Sequence, residues 1–129
     1  MKKSKPPKPT DAELAILRVI WQRGPSTVRE VWELLSPRQG TGYTTVLKTM
    51  QIMGEKGLLA RDETERSHVY RAARTEAQTQ RQVVGHLLER LFSGSAAKLV
   101  MQALAAKKAT PDELAEIRKL LDDMEGGSR

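Results

Sequence analysis

In the segment GYTTVLKTMQIMGEKG, residues 42–57, Thr44, Thr45 and Lys48 gather on one face of a helical pattern while Val46, Met50 and Met53 recur on another. Two hydroxyls and an ammonium are groups that donate hydrogen bonds and attract anions. Threonine can bond a base edge or a phosphate and can touch a thymine methyl; lysine can reach guanine acceptors or a phosphate. All three fall in the first two turns, beside the amide end of the helix and its fixed positive partial charge. Tyr43 opens the helix and can either pack inward or place its hydroxyl on a phosphate. Arg66, His68 and Arg71 form a second set of cations a little further on. Faces of this kind are most often only solvated, so their meaning depends on the elements that position them.

Bond-making chemistry has little footing in this chain. It contains no cysteine, which excludes disulfides, thiolate catalysis and cysteine-ligated zinc. His68 and His86 stand far apart, and neither has the histidine and carboxylate spacing of a helical metal site. GTGYTTV has glycines near a helix start, yet it follows a helix and lacks the third glycine and the lysine of a P-loop. Met50, Met53 and Met101 read as core rather than as metal-binding methionines. The expectation is a protein that is not an enzyme, with no catalytic residues, metal or cofactor.

Charge is distributed unevenly along the 129 residues. Residues 1–74 hold fourteen Lys and Arg against eight Asp and Glu, and residues 75–129 hold eight of each, so the net +6 lies wholly in the first part. Such asymmetry is expected where one region meets a polyanion and the other does not. The plainer alternative is that Lys2, Lys3, Lys5 and Lys8, in a Lys/Pro tail over residues 1–9, supply most of it. The opening MKKSKPPKPTDAE has no apolar core of a secretory signal. No stretch approaches the ~20 apolar residues of a membrane span. A cytoplasmic protein without membrane insertion is the expectation.

The positioning elements follow from caps and periodicity. Thr10-Asp-Ala-Glu13 is a capping box that starts a helix bearing Leu14, Leu17 and Trp21, supported by Ile16 and Ile20 and closed by Gly24-Pro25. Thr27-Val-Arg-Glu30 starts a second, with Val28, Val31, Trp32 and Leu35 on one stripe and Ser36-Pro37 as its stop. The helix of residues 42–57 is the third. Beyond it the period becomes extended, with candidate strands over residues 58–62 and 67–72 around a polar tip at residues 63–66. Three helices and a hairpin make a winged helix-turn-helix over residues 10–74, whose third helix enters the DNA major groove by its N-terminal end. In that setting Tyr43, Thr44, Thr45, Lys48, Arg66 and His68 are the candidate DNA-binding residues. A winged-helix module that binds protein instead is the alternative; it would show an acidic or apolar recognition face.

Residues 75–129 return to helices. Thr75-Glu-Ala-Gln78 is a further capping box, Thr110-Pro-Asp-Glu113 starts the last of three helices with proline at its first position, and Ser93-Gly-Ser95 separates the first two. Their apolar stripes, including Leu87, Leu88, Leu91, Leu99, Val100, Leu114, Ile117 and Leu121, are too many for three short helices to hide alone. They need either the first domain or another copy of themselves. The fold class is therefore mostly α: a winged helix-turn-helix followed by a three-helix unit.

With TDAELAILRVIW, STVREVWELL, GYTTVLKTMQIMGEKGLLARDETERSHVYRA and TPDELAEIRKLL in place, the chain over about residues 10–124 resembles the penicillinase repressor family of BlaI/MecI-type transcription regulators. The resemblance implies a homodimer, joined through the C-terminal three-helix unit, that represses at a palindromic double-stranded DNA operator near antibiotic-resistance or stress genes. It also implies a membrane sensor protease as a partner in some members, which cuts an Asn-Phe bond in the dimerisation region. The corresponding place here is Gln102-Ala103. The copper-responsive branch ends in a cysteine-rich motif, and this chain has no cysteine.

Overall fold

The computed structural model describes residues 8–64 and 66–126. Most of the expected Lys/Pro tail, residues 1–7, lies outside the described residues, as does Glu65 at the expected hairpin tip. Six helices and one hairpin follow in order: α1 (Asp11–Arg23), α2 (Val28–Gln39), α3 (Tyr43–Lys56), β1 (Leu59–Asp62), β2 (Val69–Ala72), α4 (Glu76–Leu91), α5 (Ala96–Ala106) and α6 (Pro111–Gly126). The fold is mostly α, with the three helices and two-stranded wing of a winged helix-turn-helix and three further helices.

The helices begin where the sequence supplies caps. At α1 the Glu13 amide donates to Thr10 Oγ1 while the Thr10 amide donates to Glu13 Oε1. The same reciprocal pair forms between Thr27 and Glu30, Thr75 and Gln78, and Thr110 and Glu113. Each box satisfies two amides that the helix itself leaves without acceptors. The expected stop of α2 at Ser36-Pro37 is a correction: the helix runs through Pro37 to Gln39 and closes on left-handed Gly40, φ 63°, whose amide donates to Ser36 O at 2.8 Å. Proline removes the one amide that would bond the Glu33 carbonyl, and because Glu33 and Pro37 are not buried, water can take that place.

The strands are shorter than the pattern predicts. Leu58 is taken up in the cap that follows α3, where its amide donates to Met53 O at 2.9 Å around left-handed Gly57. The ladder then pairs Leu59 with Ala72 through to Asp62 with Val69, leaving Ser67 and His68 in the turn. Asp62 starts that turn by accepting from the Thr64 amide at 3.0 Å. Ser26, between α1 and α2, exchanges both backbone hydrogen bonds with Tyr70, at 2.9 and 2.8 Å, and so fixes the wing to the helices.

The chain divides into two compact units between Val84 and Gly85, inside α4. The first contains the core. Ile16, Leu17 and Ile20 meet Val28, Val31 and Leu35, then Val46, Met50 and Met53, with Leu58, Leu59 and Tyr70 closing the wing side. Each such burial contributes roughly 1.5–3 kcal/mol before entropy is counted. Trp21 is half-buried at the edge, its indole N–H donating to Arg74 O at 3.0 Å. Glu13, buried, takes an ion pair from Lys56 Nζ at 2.7 Å and ties the start of α1 to the end of α3.

In the second unit neither α5 nor α6 has a buried residue. Met101, expected in a core, is 68% exposed on α5, because helical spacing marks an apolar face without saying what covers it.

Candidate nucleic-acid interface

The burial of Val46, Met50 and Met53 fixes the rotation of α3, and with it the face that looks outward. Thr44, Thr45 and Lys48 are exposed there, and among the described residues no hydrogen bond or ion pair engages their side chains. Thr49, one turn on, is different: its hydroxyl donates to Thr45 O at 2.8 Å and is satisfied within the helix. The N-terminus of α3 is also unlike those of α1 and α2. Its N-cap is Gly42, which supplies no side-chain acceptor, and no acidic residue sits in its first turn. Its leading amides and partial positive charge therefore face outward unneutralised.

A three-residue set fixes the turn into α3. The Trp32 indole N–H donates to Thr41 O at 3.0 Å, and the Trp32 and Tyr43 rings meet edge to face with centroids 5.9 Å apart. The Arg29 guanidinium lies 5.9 Å from both ring centroids. Of the two roles the sequence left open for Tyr43, the packing is present, with its ring against Trp32, and the residue stays 39% exposed.

On the wing, Arg66 and His68 are exposed and have no ion pair among the described residues, whereas Arg61 is in contact with Glu63. Hydrogen bonding to Tyr70 and then to Glu63 pushes the Arg61 guanidinium above its ordinary value, so its charge is fixed. The Asp62 carboxyl is held below its ordinary value, chiefly by the Thr64 amide and hydroxyl. A groove of about 370 Å³ lies between the first turn of α2, α3 and the wing, and Arg29, Tyr43, Gln51, Arg61, Arg66 and His68 all border it. The fold therefore brings Tyr43, Arg66 and His68 to one groove, while Thr44, Thr45 and Lys48 stand on the exposed face of α3 beside it and do not line it.

Arg29, Arg61 and Gln51 are the members that sequence reasoning passed over. A signal for Arg29 was present: it is a cation in the first turn of α2, where the helix dipole disfavours positive charge. A residue placed against that preference invites another reason for being there. Arg61 and Gln51 carried no such mark.

Comparison with known proteins decides what the arrangement belongs to. The penicillinase repressor family matches residues 9–123. The chain belongs to that family. Two relatives, each described as "Transcriptional regulator BlaI" and from Mycobacterium tuberculosis strains CDC 1551 / Oshkosh and ATCC 25618 / H37Rv, are 29% identical over 120 residues, covering 91% of this chain and 85% of theirs. The solution structure of the DNA-binding domain of the repressor BlaI is 28% identical, with a TM-score of 0.51, covering 58% of this chain and 92% of that one. The family is one of transcriptional regulators, and a member of it is not an enzyme.

Outside the groove, the chain carries its other candidate residues on α4, α5 and α6. Leu87, Leu91, Val100 and Leu121 are exposed, and Leu88, Leu99, Leu114 and Ile117 are half-buried. Val84, Leu104 and Met124, which the helical spacing also marks, are large, apolar and exposed as well, as are Met101 and Leu120, which it did not single out for this surface. Gln102 and Ala103 lie within α5, both exposed and both helical. His86 is exposed on α4. No described helix is long and apolar enough to cross a membrane.

Proposed function

We propose that this chain is a DNA-binding transcriptional repressor that acts in the cytoplasm as a homodimer on a palindromic operator, controlling antibiotic-resistance or stress genes. The observation that carries the reading is the exposed, unengaged set of Thr44, Thr45 and Lys48 on a helix whose opposite face is locked into the core. In a winged helix-turn-helix the first two turns of this helix lie in the major groove, where those side chains can reach base edges. Arg66 and His68, with Arg29 and Arg61, border the neighbouring groove and supply positive charge for phosphates. Family membership and the likeness to the BlaI DNA-binding domain support the same reading.

The homodimer reading draws on the incompletely covered stripes Leu87, Leu88, Leu91, Leu99, Val100, Leu114, Ile117 and Leu121. Two-fold symmetry in the protein then calls for half-sites of dyad symmetry, one helical turn or a multiple of it apart. Release by a membrane sensor protease would act at Gln102-Ala103 on α5, separating α6 and its part of the stripe from the rest. Fluorescence anisotropy with DNA from upstream of the chain's own gene, at two salt concentrations, tests the function. A dyad sequence should bind at least about a thousandfold more tightly than scrambled DNA, and equal affinity for both would remove specific DNA recognition.

A further inference from the structure

A separate groove of about 340 Å³ is bordered by the end of α1, the turn into α2, the end of β2 and the first turn of α4, all within the first unit. None of Tyr43, Thr44, Thr45, Lys48, Arg66 or His68 borders it, so a role for this groove is independent of the DNA reading. Its apolar wall includes Trp21, Pro25 and Ala72. The Trp21 indole N–H is committed to Arg74 O at 3.0 Å, which anchors the ring and leaves its hydrocarbon surface to the groove. The cationic members are Arg71 and Arg74.

Those two guanidiniums lack the partners that such groups ordinarily have. Arg74 Nε is closed off from solvent and, among the described residues, has no hydrogen-bond acceptor. Among the described residues no carboxylate forms an ion pair with either arginine, although Asp62 feels the charge of Arg71 at longer range. A donor left without an acceptor costs free energy, and a side chain that can turn such a donor toward an incoming acceptor recovers it. Guanidinium forks match carboxylates in particular, because two parallel N–H groups meet two oxygens. The apolar wall beside them is suited to the hydrocarbon part of the same molecule, and the volume lies at the lower end of the range for small-molecule sites. We propose that this groove binds a small organic anion, a carboxylate carried on an aromatic or aliphatic body.

Sodium benzoate is the probe, with benzamide as its uncharged isostere and inorganic phosphate as a bare anion. The chain has two tryptophans, so a nitrogen–proton correlation spectrum of the full chain gives two indole N–H signals. Benzoate should shift the Trp21 signal saturably and leave that of Trp32 in place, with benzamide at least about tenfold weaker and phosphate giving no saturable shift. Arg74→Gln should weaken benzoate about tenfold, as expected for loss of one charge-assisted hydrogen bond, and Arg74→Lys should lose less. The absence of a saturable shift at Trp21 would overturn the proposal. So would equal binding of benzamide, which would mean apolar adsorption alone, equal binding of phosphate, which would leave the wall without a role, or wild-type benzoate affinity in Arg74→Gln. The three-ligand comparison on the unaltered chain decides the matter even where a substitution at Arg74 disturbs folding.

Discussion

The two units use the same kind of amphipathic helix to different ends. In the first, α1, α2 and α3 each present an apolar stripe to the other two and to the wing, and Leu17, Val31, Val46, Met50 and Met53 are left with almost no exposed surface. In the second, α5 is the more apolar helix by composition, yet neither it nor α6 buries a residue, and Leu91, Met101 and Met124 are about two-thirds exposed. The difference lies in how many faces are available within one chain. Three helices and a hairpin can enclose a core, whereas the two helices beyond α4 leave exposed apolar surface of the kind that marks an interaction site. A stripe is thus a statement about what must be covered, and only the packing says by what.

Paired substitutions should expose that difference most strongly. Leu17→Ala leaves a cavity in a closed core and should destabilise the first unit by about 3–5 kcal/mol in denaturant unfolding. Leu121→Glu, on the open stripe of α6, should leave the unfolding of the first unit unchanged and weaken self-association by about 3–5 kcal/mol, because each copy would place an unpaired charge in the interface. Sedimentation equilibrium reads the second effect; a Leu121→Glu chain that stays dimeric would exclude α6 from the interface. The comparison sharpens further if the chain is ended at Val84: it should fold, remain monomeric and bind a single half-site weakly.

Within the first unit the next contrast is between the two faces of α3. Lys48→Ala should weaken operator binding by about 1–3 kcal/mol, the worth of a good base contact, with little change in thermal stability. A sharp fall in stability with operator affinity intact would mean that the helix faces are assigned wrongly. Arg66→Ala, on the wing, should act on specific and nonspecific DNA alike and reduce the slope of log affinity against log salt by about one. An unchanged slope would remove Arg66 from the phosphate contacts.

How much of this was legible depended on the range of the interaction involved. The capping boxes at Thr10, Thr27 and Thr75 were readable because cap and partner lie three residues apart, and each forms as its sequence predicts. The face of α3 was readable because Val46, Met50 and Met53 repeat at helical spacing. The passage of α2 through Pro37 was not, since tolerance of a proline depends on whether the freed carbonyl meets water. Nor were the Ser26–Tyr70 bridge and the Lys56–Glu13 pair, whose partners are 44 and 43 residues apart with no local mark. Arg29 was an intermediate case: its clash with the helix dipole was visible, but its stacking on Trp32 and Tyr43 needed the turn between α2 and α3 to be folded.

The smallest effect concerns the Lys56–Glu13 pair, which holds the end of α3 to the start of α1 behind the proposed DNA face. Burial alone would push the Glu13 carboxyl up, but the hydrogen bond from Lys56, the Thr10 amide and the Lys56 charge together hold it below its ordinary value of 4.5. Between the lowered folded value and 4.5 the unfolded chain binds more protons than the folded one. The contribution to stability is therefore fully present above 4.5 and is lost as pH falls through the folded value. Glu13→Gln isolates it, because glutamine can still accept from the Thr10 amide in a capping box and only the charge is removed. Denaturant unfolding should show the variant less stable by on the order of 1 kcal/mol at about pH 7. The gap should close as pH falls from 4.5 to the folded value, since over that range the unfolded wild-type chain takes up a proton at Glu13 before the folded one does. A gap that stays constant from neutral pH to below the folded value would mean that shape at residue 13, rather than charge, holds α1 and α3 together.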